Sequence, residues 1–94
     1  MRIEIDDWNA YRHQIDTADP ALAGQWLVEK CLLLMSANMS YGECRLRIWP
    51  SSQAEAKTIG QHDTFLNQAA LLKLAESILT VSAQLGEAES AADR

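Results

Sequence analysis

Apolar residues recur along this chain with two different periods, and the switches between them outline its elements. Arg2-Ile3-Glu4-Ile5-Asp6 alternates, with Ile3 and Ile5 on one side and the charged residues on the other. A period of two is the pattern of a half-buried strand. Trp8, Tyr11 and Ile15 then fall at i, i+3 and i+7, a spacing that predicts a helix of one or two turns.

Asp19-Pro20 predicts the start of a longer helix. Asp19 suits the cap, and Pro20 suits the first helical position, where its missing N–H is not needed. From Pro20 to about Asn38 the apolar residues are Leu22, Trp26, Leu27, Val28, Cys31, Leu32, Leu33, Leu34 and Met35. From Trp26 onward they cover most of the circumference, so this helix is expected to be central and packed on more than one side. Ser40-Tyr41-Gly42 reads as a turn.

Glu43 to Trp49 alternates strictly. Cys44, Leu46 and Ile48 form one face; Glu43, Arg45, Arg47 and Trp49 form the other. Pro50 to Gln53 reads as a loop. Ala54 to Ile59 is a weak candidate for an edge strand, against the propensity of its alanines and Glu55. Gly60 closes it.

Asp63 or Thr64 is expected to cap the last helix, which runs to Leu85 with Gly86 as its stop. Leu71, Leu74, Ile78, Val81 and Leu85 form a heptad seam along it. Phe65, Ala69, Leu72, Ala75, Leu79 and Ala83 form a second stripe beside the first. A helix of this length spans about 33 Å at ~1.5 Å per residue. The expected fold class is α+β in the order β-α-β-(β)-α: a small antiparallel sheet of two or three short strands against two main helices. Residues 1–86 are read as one domain, and 87–94 as an acidic tail without a core face, expected to be frayed or disordered.

Composition narrows the function more than it names it. Ninety-four residues, 48% of them hydrophobic, suit one small packed domain. Thirteen acidic against eight basic residues give a net charge of −5, which argues against nucleic acid, because phosphate contacts require a basic surface. The longest apolar stretch, Trp26 to Met35, contains Glu29 and Lys30 and falls short of a membrane span. Met1 to Asp7 has no signal-peptide character, so a cytoplasmic setting with reduced thiols is expected.

Candidate chemistry is sparse. His13 and Asp16 share a face if the segment is helical, but a third metal ligand is missing. Asp63, beside His62, is explained by capping. Cys31 and Cys44 both lie on apolar faces, and a reactive thiolate needs an exposed, electropositive setting. The four glycines are isolated, so no phosphate-cradling loop is formed. No metal, cofactor or catalytic residue is expected.

Arg45, Arg47 and Trp49 are the most informative polar set. They point away from the core face, and Arg and Trp are enriched at interface hot spots. They mark a candidate partner-binding surface; alternatively, the arginines pair with acids such as Glu4 and Asp6. The seam Leu71, Leu74, Ile78, Val81 and Leu85 is a second candidate, to be covered by the Pro20 helix, by a second copy in a homodimer, or by a foreign protein. The expected function is a non-enzymatic protein–protein interaction module, acidic and regulatory or inhibitory. A homo-oligomeric structural or assembly subunit is the alternative, and a small enzyme with an unrecognised site is the third option.

Overall fold

The computed structural model describes residues 1–36 and 42–92, with side chains to Glu87 and backbone from 88 to 92. Among these residues the chain forms β1 (Arg2–Asp6), β2 (Arg12–Asp16), α1 (Pro20–Ser36), β3 (Cys44–Trp49), α2 (Gln53–Thr58), β4 (His62–Leu66) and α3 (Gln68–Ala92). The class is α+β as expected, but the sheet is larger. It has four strands in the order β2-β1-β3-β4, every neighbour antiparallel. No helix among the described residues is long and apolar enough to cross a membrane.

The first difference lies at residues 8–16. The helical spacing of Trp8, Tyr11 and Ile15 is coincidental, and the segment is a hairpin. Asp7 makes it one. Its backbone carbonyl accepts from Ala10 N–H at 2.9 Å, and its Oδ1 accepts from the N–H groups of Asn9 and Tyr11 at 2.9 and 3.0 Å. Ala10 takes a left-handed φ of 65° to close the loop. Trp8 and Tyr11 are then exposed rather than buried. A two-turn helix has too few hydrogen bonds to offset its nucleation, whereas β2 gains a full ladder against β1.

Asp19 caps α1, its Oδ1 accepting from the Ala21 and Leu22 N–H groups at 3.0 and 3.4 Å. The helix buries Pro20, Ala23, Gly24, Leu27, Cys31 and Leu34. That is one face, not the whole circumference: Leu22, Leu32, Leu33 and Met35 are exposed. The helix end expected at Asn38 and the turn expected at Ser40-Tyr41 lie outside the described residues.

The second difference lies at 52–67. The weak edge strand expected at Ala54–Ile59 is instead helix α2. Ser52 is its N-cap, with Oγ accepting from Glu55 N–H at 3.1 Å. Gly60 ends it at φ 79°, a left-handed position that suits glycine. A second unexpected strand, β4, is formed from the residues expected to open the last helix. Asp63 and Thr64 are therefore strand residues, and Asn67 is the cap, its Oδ1 accepting from Ala70 N–H at 2.8 Å. α3 starts at Gln68 and continues through Gly86 and the acidic segment to Ala92.

The two long helices run antiparallel on one side of the sheet. α1 lies over β2 and β1, α3 over β3 and β4. Close approach depends on glycine: a Cβ at Gly24 would sit 3.0 Å from the Leu79 Cα and 3.1 Å from the Ser82 Cβ. Between helices and sheet lies a core of Ile3, Ile5, Leu27, Cys31, Cys44, Leu46, Ile48, Leu71, Ala75 and Ile78. Met1 is buried at its margin, and its ammonium lies 3.5 Å from Glu55 Oε1 in an equally buried pair.

Candidate interaction surface

Strand alternation sends every second side chain to the outer face of the sheet, the side away from α1 and α3. Register places them in rows: Asp16, Arg2 and Trp49; then Gln14, Glu4, Arg47 and Asp63; then Arg12, Asp6, Arg45 and Phe65. Acidic and basic residues alternate across the strands, so neighbours attract.

Glu4 is the hub. It is only 3% exposed, yet it lies on the outer face, covered by guanidinium groups. Its Oε2 lies 2.6 Å from Arg2 Nη2, and its Oε1 lies 3.0 Å from Arg47 Nη2 and 3.4 Å from Arg12 Nε. Asp6 joins the lattice through Arg12 Nε at 2.8 Å and Arg47 Nη2 at 2.9 Å. The Arg12 hydrogen bond holds the Asp6 carboxyl below the usual range; burial opposes it, and the charges of Arg12, Arg47 and Arg45 reinforce it.

Arg45 forms a two-pronged pair with Asp63, Nε to Oδ1 at 2.9 Å and Nη2 to Oδ2 at 3.0 Å. That hydrogen bond lowers the Asp63 pKa. Two aromatic rings complete the face. Trp49 lies against both Arg2 and Arg47, whose Cζ atoms are 5.5 and 5.7 Å from the ring centre. Phe65 carries Arg45 at 5.7 Å and is 62% exposed. Arg2, Glu4, Arg12, Arg47 and Trp49 line an open depression of about 390 Å³.

Arg45, Arg47 and Trp49 therefore do share one surface, pointing away from the core. Their arginines are also engaged by acids of the same chain, Glu4, Asp6 and Asp63. Arg2, Arg12 and Phe65 belong to the same surface; the sequence pattern puts Arg2 on the polar side of β1 without linking it to β3, and the helical spacings at 8–15 and 64–85 hide Arg12 and Phe65. The charge alternation Arg12-Gln14-Asp16 was the available signal.

The α3 seam is largely consumed within the chain. Leu71 and Ile78 are buried, while Leu74, Val81 and Leu85 are half-buried. Leu74, Ile78 and Val81 line a small cavity of about 90 Å³ with Thr58, Ile59, His62 and Ser77.

The candidate chemistry is dispersed. His13 faces inward with Nε2 3.0 Å from Asp7 Oδ2, while Asp16 lies on the opposite face of the strand. His62 Nε2 donates to the Ile59 carbonyl at 2.8 Å, and Asp63 turns outward to Arg45. Burial pushes the Cys31 thiol up to about 12, with Cys44 adding to it. Burial likewise raises Cys44, helped by the charge of Asp7. Among the described residues no group of three His, Cys, Asp or Glu side chains is placed to hold a metal ion.

No family model matches the chain, no curated protein matches it, and no solved structure matches its fold.

Proposed function

We propose that this protein is a non-enzymatic protein–protein interaction module that regulates or inhibits a macromolecular partner, and that it meets this partner on the outer face of its sheet. The observation that carries the reading is Phe65: a large aromatic ring, 62% exposed, beside Arg45 and in the same sheet face as Trp49. Aromatic and arginine side chains together are the composition of interface centres. The ion-pair lattice supports the same reading, because it holds the arginines and Trp49 in fixed positions before a partner arrives. The non-enzymatic part rests on the chemistry around the titratable groups. Both thiols are buried and hard to ionise, and each histidine is tied to an internal acceptor.

The test is affinity capture from source cells with wild type, Phe65→Glu and Arg45→Glu. The reading expects one stoichiometric partner on wild type that both variants lose. Equal recovery on all three, or none above bare matrix on wild type, overturns it. A second reading, a homo-oligomeric subunit, is favoured by a separate observation at the β2 edge of the sheet.

A further inference from the structure

We propose that the β2 edge is a self-association surface, where a second copy of this chain pairs antiparallel about Gln14 and extends the sheet from four strands to eight. The inference goes beyond the outer-face reading: it uses the backbone edge of β2 and the Leu22, Trp26 and Leu33 ridge of α1, and shares Arg12, Gln14 and Asp16 with that face.

Charge register favours this pairing. β2 reads Arg12-His13-Gln14-Ile15-Asp16 and is an edge strand, paired only with β1 among the described residues. An antiparallel two-fold pairing on Gln14 sets Arg12 opposite Asp16 of the second copy, and Asp16 opposite Arg12 of the second copy. His13 then meets Ile15 of the second copy on the inner side. Two opposite-charge pairs form, and no like charges meet. Asp16 is exposed and has no ion pair or hydrogen bond among the described residues, although it sits beside Arg2 in the ladder. Arg12 still has a free Nη1 after its contacts with Glu4 and Asp6. β2 also contains no proline, lysine or bulge to block pairing.

The helix above that edge carries an exposed apolar ridge. Gly24 faces α3, and α1 lies over β2 and β1. Leu33 is nine residues from Gly24, half a rotation away on a helix of ~3.6 residues per turn. Leu33 therefore faces away from α3, toward the β2 side. Leu22 and Trp26 lie within about 20° of it at ~100° per residue. Leu22 and Leu33 are 48% and 55% exposed, and Trp26 is half-buried. A five-residue strand pair is small against the about 1,000 Å² that a specific interface needs. This ridge, meeting its own copy across the two-fold axis, supplies the apolar remainder. The other edge offers less: pairing β4 about Thr64 sets Asp63 opposite Phe65 of the second copy, with no new ion pair.

The test uses the whole chain and needs no foreign partner. Sedimentation equilibrium between about 5 and 200 µM reads the mass, and Gln14→Cys reads the register. Wild type is expected to reach twice the 10.5 kDa chain mass. Asp16→Arg and Leu33→Glu, both at exposed positions, are each expected to raise the dimer Kd at least tenfold, while Phe65→Glu leaves it unchanged. Gln14→Cys is expected to give a disulfide-linked dimer on mild oxidation, since Gln14 faces itself across the axis. A wild type that stays monomeric throughout overturns the proposal, as does a dimer indifferent to Asp16→Arg and Leu33→Glu. Either failure leaves the outer-face reading intact, and loss of partner capture by Phe65→Glu leaves the dimer intact.

Discussion

Gly24 of α1 packs closely against Ser82 of α3, where a Cβ on Gly24 would lie 3.1 Å from the Ser82 Cβ. Ser82 is fully buried there, and its Oγ has no hydrogen-bond partner among the described residues. Two opposite predictions follow from that pair. Gly24→Val is expected to destabilise by about 2–3 kcal/mol, since the new branches meet backbone at Leu79 and force the helices apart. Ser82→Ala is expected to stabilise by up to about 1 kcal/mol, because it removes a buried hydroxyl that lost its water and gained nothing. Urea denaturation midpoints of the three proteins check both signs.

The hairpin loop predicts a stabilising change. Ala10 holds φ 65°, a conformation that costs an alanine about 1 kcal/mol and costs glycine nothing of the kind. Ala10→Gly relieves that cost and adds some chain entropy in the unfolded state. The expected net gain is about 0.5 kcal/mol, read as a higher urea midpoint at unchanged slope.

The lattice around Glu4 predicts an asymmetry between partners. Glu4→Gln leaves Arg2, Arg12 and Arg47 converging on a neutral group and is expected to destabilise by roughly 2 kcal/mol. That lies below the range for a fully buried pair, because the arginines can turn to water. Arg2→Ala is expected to cost under about 1 kcal/mol, as its side chain is half exposed and Glu4 keeps two other guanidiniums. Denaturation of the two variants under identical salt measures the difference.

How far this arrangement could be read from the sequence depends on whether a signal was local. β1 and β3 were legible because Ile3/Ile5 and Cys44/Leu46/Ile48 alternate with charges. Asp19-Pro20 marked α1 correctly through cap chemistry. β2 was not legible: it has one apolar inward residue, Ile15, and its identity as a strand comes from pairing with β1. At Ser52-x-x-Glu55 a helix-start signature is present, but the alternation of Ala54, Ala56 and Thr58 reads as a strand instead. Once β4 was absorbed into the last helix, Phe65 moved from the outer sheet face to a helix stripe. The outward direction of Arg45, Arg47 and Trp49 followed from alternation alone. Their acidic neighbours across the sheet did not, because register is set by tertiary packing.

Acid is expected to weaken the fold through Asp6 and Asp63. Both folded pKa values lie below the ordinary aspartate value, held down mainly by hydrogen bonds from Arg12 and Arg45. A depressed carboxyl contributes stability that is full above the unfolded pKa of about 3.9 and disappears as pH falls through the folded value. Stability is therefore expected to drop from about pH 4 downward. Asp6→Asn should flatten part of that slope, while wild type and variant keep the same profile between pH 5 and 7. Urea titrations at each pH provide the check.

The central claim is that the outer sheet face, not the helix layer, meets the partner. Backbone and indole chemical shifts of the labelled protein, recorded with and without the captured partner, test it most directly. The account predicts changes concentrated at Arg2, Arg45, Arg47, Trp49 and Phe65, with α1 and α3 little affected. Changes confined to Leu22, Leu32, Leu33 and Met35 on α1, with Phe65 and the Trp49 indole unmoved, would contradict it.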